Sequence, residues 1–252
     1  MSPLLWIIYY NPLFAKIEKI KHEKNIGYEL DYNDQCISIT DLAYMDDSTW
    51  IGKKKEELKI ILQTADSFNE YNGIKVNKEK SKLIVINSSE TKDNTNITYG
   101  TNSTKIFPLE KKEFTHFLGV WIGEDDNKNF VKGQINDKIE KAYNVMKYKK
   151  IIDDQIRYIY NVVLISRCEY KIMITILSKG DINTLTTKIR RLMRNKIGIS
   201  NTALNIILTH REFYNLIDLY YRQDESQIVN LLKRLNNKNL IRKIMEIWIK
   251  QL

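Results

Sequence analysis

The sequence offers almost nothing from which a zinc site or a disulfide framework could be built. Its two cysteines, Cys36 and Cys168, form no C-x-x-C, and its three histidines, His22, His116 and His210, form no H-x-x-x-H. Neither scaffold is expected, and the chain reads as a reduced, intracellular protein. Three prolines and nine glycines among 252 residues leave few breaks, so long helices are expected. The opening "MSPLLWIIYYNPLFAKI" lacks the positive flank and small-residue cleavage site of a signal peptide. It is also shorter than the ~20 apolar residues a membrane span needs, and Pro12 interrupts it. A buried helix is the better reading, with Ser2 as N-cap and Pro3 in the first helical position. No internal repeat is visible.

What is present describes a globular protein able to bury a real core, with 43% apolar and 28% charged residues. The net charge of +9 is unevenly spread. Residues 1–130 hold 17 Lys/Arg against 20 Asp/Glu, a net of −3; residues 131–252 hold 23 against 11, a net of +12. A back half facing a polyanion accounts for this division. A solvated, lysine-rich helical surface accounts for it as well.

Along the chain, a first helix runs to about Lys24, bent near Pro12. "CISITDLAYM" has the β-branched alternation of a buried strand, and "STWI" reads as its return. "KKEELKIILQTADSFNEYNG" places Leu58, Ile61, Leu62, Ala65 and Phe68 on one helical face, ended by Gly73 as a C′ residue. "KLIVIN" reads as a short strand, and "SSETKDNTNITYGTNSTK" as a polar surface loop. "FTHFLGVWIG" reads as a strand pair in which Gly119 marks a bulge or a close backbone approach. From about Asn127 onward every stretch carries helical spacing. The expected class is α+β: a mixed front half and an all-helical, basic back half, divided near residue 125.

The chemistry concentrates in "DLAYMDDSTWIG", where Asp46 and Asp47 stand side by side at the expected hairpin turn. Adjacent carboxylates repel and resist burial unless something compensates. Magnesium takes oxygen ligands and favours one or two carboxylates plus substrate phosphates, so a rigid hairpin bearing both is a natural platform for it. An ordinary Asp-rich turn is the alternative. The flanking strands and the basic helical half favour the metal platform.

"YMDD" after hydrophobic residues resembles motif C of the reverse transcriptases. "SPLLW" and "YNPLF" within Ser2 to Phe14 resemble the end of motif B, "NGIKVNKEKSKLIVI" resembles motif D, and "FTHFLGVWI" resembles motif E, in family order. The closest flavour is the non-LTR, LINE-type retrotransposon enzymes. The resemblance implies a partial palm over residues 1–125, a thumb-like basic helical region over 126–200 and a helical segment over 201–252. It implies two-metal nucleotidyl transfer with magnesium, or manganese in its place, on an RNA template and a DNA primer with dNTPs. Asp46 would anchor the metal and Asp47 assist; Tyr44 and Met45 would lie beside the primer terminus. Lys80 aligns with the motif D lysine that protonates leaving pyrophosphate, though among Lys75, Lys78 and Lys82 it also reads as a solvated lysine. Phe117, Leu118 and Gly119 would form the primer grip, or a plain core strand. Ser2 and Pro3 would begin the motif B remnant. On the expected thumb, Lys188, Arg190, Arg191, Arg194 and Lys196 would contact phosphates without reading sequence, or form a solubilising face.

In that family the third metal carboxylate, on motif A, and the fingers precede motif B. The chain is therefore expected not to polymerise unaided, and to expose apolar surface around Leu4, Leu5 and Trp6. The alternative is a non-catalytic nucleic-acid-binding remnant of a retroelement. Nuclear action follows from the family's way of life alone.

Overall fold

The structure, a computed structural model, describes residues 3–32, 35–77, 79–88, 92–99 and 104–251. Helices and short antiparallel strand pairs make it α+β. It divides into two compact units, one of residues 1–111 with 235–252 and one of residues 112–234.

In the first unit α1 (Pro3–Lys24) opens the chain and carries Pro12 within it, as its length and composition suggest. Ser2, the expected N-cap, lies outside the described residues. Leu13 and Ile17 of α1 are fully buried, four residues apart on one face. Leu4, Leu5, Ile7 and Ile8 are exposed, the first by 65%, so the expected apolar surface is present; Trp6 instead stacks against Tyr10 at 4.8 Å. The chain then forms two hairpins, β1 (Tyr28–Tyr32) with β2 (Gln35–Ile39) and β3 (Asp41–Tyr44) with β4 (Asp47–Trp50). The continuous strand expected over "CISITDLAYM" is thus two strands, broken at the buried Thr40.

Helix α2 (Lys55–Tyr71) packs Ile61 and Ala65 against Leu13, Ile17 and Ile26. Its end follows the expectation at Gly73. There φ is +65°, the Gly73 N–H donates to the Glu70 carbonyl and the Ile74 N–H to the Asn69 carbonyl. That pair of bonds satisfies two orphan carbonyls of the last turn. Trp50 joins the hairpin to both helices, packing against Phe14 at 6.1 Å and touching the Leu62, Ile97 and Tyr99 cluster. Trp50→Ala is expected to cost about 2–4 kcal/mol and to free the hairpin locally. Amide hydrogen exchange checks this: protection should fall in β3 and β4 before it falls in the α1 core.

Two expectations in this unit are corrected. "KLIVIN" forms no strand ladder; Leu83 makes one isolated bridge to Pro108, and the Leu109 N–H donates to the Leu83 carbonyl. The polar stretch expected to be a loop contains a short helix α3 (Lys92–Thr95) and a hairpin of β5 (Ile97–Tyr99) with β6 (Thr104–Ile106). Ile97 and Tyr99 alternate inward and are buried against Leu62. Burial pushes the Tyr99 hydroxyl up to about 12. Two inward residues suffice for a three-residue strand, and composition averaged over the polar stretch hides them. The C-terminal helix, Leu240–Lys250, packs on β1 and buries Ile247.

The second unit begins with a hairpin of β7 (Thr115–Phe117) and β8 (Val120–Ile122). Every later named element in it is helical, as expected: α4 (Lys128–Tyr148), α5 (Asp153–Tyr158), a π-helical stretch Ile159–Leu164, α6 (Ile165–Ile174), α7 (Lys179–Ile197), α8 (Ile206–Thr209) and α9 (Leu219–Leu235). Their shared core holds Ile135, Ile156, Ile172, Ile182, Ile189 and Met193, each fully buried. Helix α7 starts on a capping box, the Ser178 hydroxyl accepting from the Asp181 N–H at 3.1 Å while Asp181 Oδ2 accepts from Ser178.

The Lys132 ammonium donates to Asp181 at 2.5 Å, and with the Ser178 bonds it holds the Asp181 carboxyl well below the usual carboxylate range. A depressed folded-state pKa stabilises above the unfolded value, near ~3.9, and that contribution is lost as pH falls below it. Asp181→Asn is therefore expected to flatten the acid limb of this unit's stability below about pH 4. Denaturation of both proteins across that range checks it; parallel acid limbs would contradict the assignment.

Candidate active-site hairpin

Asp46 and Asp47 sit at the tip of the β3–β4 hairpin. Its register pairs Asp41 with Trp50, Leu42 with Thr49, Ala43 with Ser48 and Tyr44 with Asp47, leaving Met45 and Asp46 as a two-residue turn. One further bond, from the Ile51 N–H to the Thr40 carbonyl at 2.8 Å, extends the pairing at the base. Burial falls along the hairpin: Asp41 and Trp50 are half-buried, while Leu42 through Ser48 are exposed. The buried strand expected behind the aspartates is thus a two-stranded ribbon, buried only at its root. The physical reason is that β3 and β4 pair only with each other.

Met45 has φ +53°, the left-handed region that side chains avoid at a cost of roughly 1–2 kcal/mol. A two-residue hairpin needs such a residue, and glycine or asparagine would meet the need more cheaply. Strain of this kind collects at functional sites because the tight turn presents neighbouring side chains in one direction.

Neither Asp46 nor Asp47 makes an ion pair among the described residues. Tyr10 on α1 feels the Asp46 charge: its hydroxyl is raised first by burial, then by Tyr9 and by the Asp46 carboxylate. Tyr10 is a residue that sequence reasoning missed, since nothing in the spacing joins α1 to the turn. Asp41 lies at the far end of the hairpin from the turn, where burial pushes its carboxyl up and the Thr40 hydroxyl donates to it at 2.8 Å.

The donor chemistry of the tip fits a hard cation: two adjacent, exposed carboxylates without a counter-charge among the described residues are the oxygen ligands that magnesium takes. The set stops at two, because neither aspartate belongs to a group of three metal-ligating side chains among the described residues.

Residues 1–122 match the reverse transcriptase (RNA-dependent DNA polymerase) family. The reverse-transcriptase match spans just under half of the 252 residues, contains the whole β3–β4 hairpin, and ends on Ile122, the last residue of β8. No curated protein matches the chain.

The other residues singled out from sequence are placed as follows. Tyr44 and Met45 are exposed beside Asp46, the former by 55%. Lys80 is exposed in a turn, its N–H donating to Asn77 Oδ1 at 3.3 Å, and no hydrogen bond or ion pair joins it to Asp46 or Asp47 among the described residues. Pro3 begins α1. Leu118 and Gly119 form the turn of the β7–β8 hairpin with φ of +47° and +84°, the two left-handed residues of a type I′ turn. Gly119 is there for two reasons, since a Cβ would stand 2.8 Å from the Tyr170 ring. The Tyr170 hydroxyl donates to the Leu118 carbonyl at 2.9 Å, holding the turn from α6. Phe117 is half-buried and Leu118 exposed.

The fold divides the basic run on α7. Lys188, Arg191 and Lys196 are exposed, and Lys188 pairs with Glu140. Arg190 and Arg194 turn inward, 7% and 9% exposed, donating to Asn183 and Asn205 respectively. Their burial follows from helical spacing, which puts residues four apart on the face that Ile182, Leu185, Ile189 and Met193 commit to the core.

Proposed function

We propose that the chain carries the palm and thumb of an RNA-directed DNA polymerase of the non-LTR retrotransposon kind. Residues 1–125 would be palm, 126–200 thumb and 201–252 a helical extension. The observation that supports this most is a pair of carboxylates with no ion pair among the described residues, Asp46 in a strained two-residue turn and Asp47 directly after it, inside the segment that matches the reverse transcriptases.

In this reading Asp46 and Asp47 hold magnesium, or manganese in its place, and Tyr44 and Met45 flank the primer terminus. When bound, the metal lowers the pKa of the primer hydroxyl and neutralises charge on the transferred phosphate. The chain's own residues position what reacts. The tight hairpin would fix both carboxylates, Trp50 packs its base against Phe14 of α1, and the Leu118–Gly119 turn would support the primer backbone. Lys80 would deliver a proton to leaving pyrophosphate from its exposed turn. Lys188, Arg191 and Lys196 would meet template–primer phosphates. The partners are an RNA template, a DNA primer and dNTPs. No helix among the described residues is long and apolar enough to cross a membrane. Action inside the cell, and in the nucleus, is part of the proposal and rests on the family resemblance.

Because the metal ligands stop at two carboxylates, we infer that the chain binds template–primer without extending it efficiently by itself. A non-catalytic nucleic-acid-binding role is the second reading, favoured by the same two-carboxylate limit. Primer extension and duplex binding, measured together for the wild type and Asp46→Ala, separate them. Metal-dependent incorporation that disappears in the variant supports the polymerase. Duplex binding with no incorporation in either protein supports the binding role, and neither activity would overturn both readings.

A further inference from the structure

Two lysines of the second unit stand together without a counter-charge among the described residues. The Lys138 ammonium, from α4, donates to the carbonyl of Arg167 on α6 at 3.2 Å. In an α-helix that carbonyl belongs to the turn that ends at residue 171, so the Lys138 charge sits on the turn carrying Lys171. Lys171 in turn lines a cavity of about 10 Å³ with Gly119, Val120, Trp121 and Thr175. That is room for a water, so Lys171 is packed against the strand that follows the Leu118–Gly119 turn. Both lysines are half-buried, Arg167 beside them is exposed, and no carboxylate pairs with either lysine among the described residues. Burial and the Lys138 charge both hold the Lys171 ammonium below the usual lysine range. On these helices Glu140 is engaged by Lys188 and Glu169 by Arg222, while Asp137, next to Lys138 along α4, is exposed and pairs with neither lysine among the described residues.

A like-charged, partly desolvated pair weakens the protein that carries it unless an anion sits between the charges. We propose that Lys138 and Lys171, with Arg167 at their edge, form an anion site for a single phosphate group, placed beside the Leu118–Gly119 turn. The identity of that phosphate as one unit of a nucleic-acid backbone rests on the polymerase reading above; free phosphate or pyrophosphate has the same chemistry. Tetrahedral oxygens accept from two ammonium groups and a guanidinium at once, and the neutralised cluster becomes an asset in the bound state. Nothing in the sequence joins these residues, which are 29 and 33 positions apart.

The test compares the full wild-type chain with the double variant Lys138→Gln, Lys171→Gln and with Lys171→Arg. Binding of a fluorescein-labelled RNA–DNA duplex is measured by anisotropy over a salt series, and melting is followed with and without inorganic phosphate or pyrophosphate. The double variant is expected to bind the duplex about 10-fold more weakly at 0.1 M salt, with the slope of log K against log salt reduced by about 1, the mark of one lost phosphate contact. Lys171→Arg should bind as the wild type does. In phosphate-free buffer the double variant should melt at the same temperature or higher, because a repulsion has been removed. A lower melting temperature there would mean that Lys138 acts as a helix tether, and would overturn the site. Unchanged duplex affinity, slope and phosphate response would also overturn it. If phosphate raises the melting temperature of the wild type alone and no duplex binds, the anion site stands and the polymerase reading fails.

Discussion

Where the chain's slow magnesium-dependent nucleotide incorporation can be followed, Asp46→Ala is expected to lower it by at least about 10²-fold, the scale of removing one preorganised charge from a reacting phosphate. The effect should be confined to chemistry. Asp46 is exposed in a turn and makes no ion pair among the described residues, so its loss should change stability by no more than about 0.5 kcal/mol. Duplex binding should stay within a factor of about two, since phosphate contact depends on the basic helices. Metal binding offers a readout that does not need turnover. Manganese should broaden the resonances of residues 44–48 in the wild type, and Asp46→Ala should remove most of that broadening. Unchanged broadening in the variant would place the ion elsewhere and defeat the assignment. Asp47→Ala should do less, because Asp47 opens β4 and is held in register by Tyr44 rather than standing free in the turn.

Gln223→Leu is expected to be the most damaging single change to the helical unit. Gln223 is 1% exposed and its amide closes both backbone groups of Leu177, accepting from the N–H at 2.9 Å and donating to the carbonyl at 3.0 Å. Leu177 lies between α6 and α7, where no helix satisfies it. Leucine fills the volume of glutamine but leaves a buried donor and a buried acceptor unpaired. Each orphan costs about 1–3 kcal/mol, so a total of about 2–6 kcal/mol is expected. For a unit of this size the melting transition should fall by on the order of 10 °C. Hydrogen exchange is the better check, because two units need not unfold together. Protection should drop in α6, α7 and α9 and persist in α2. Protection lost equally throughout would show that the two units unfold as one.

The amino-acid sequence by itself determined every feature governed by neighbours along the chain. The end of α1 at Lys24, the Schellman end of α2 at Gly73 and the turn that presents Asp46 each depend on a few adjacent residues. Helical periodicity over residues 128–250 is likewise a local signal, and it was legible. The two aspartates were legible for the same reason, since a turn and two carboxylates need no distant partner.

Tertiary structure alone decided the rest. Ile97 and Tyr99 become a buried strand because Leu62 of α2 is there to cover them, while the apolar "KLIVIN" is left with one bridge. Arg190 and Arg194 fall on the core side of α7, and which groups meet them there, Asn183 for one and Asn205 for the other, is decided by the packed structure. Trp50 anchors the base of the β3–β4 hairpin on Phe14, 36 positions away, and Tyr170 holds the Leu118–Gly119 turn from 52 positions away. Propensity and periodicity act over one or two turns of chain, whereas burial and charge pairing are settled by whichever surfaces meet in space.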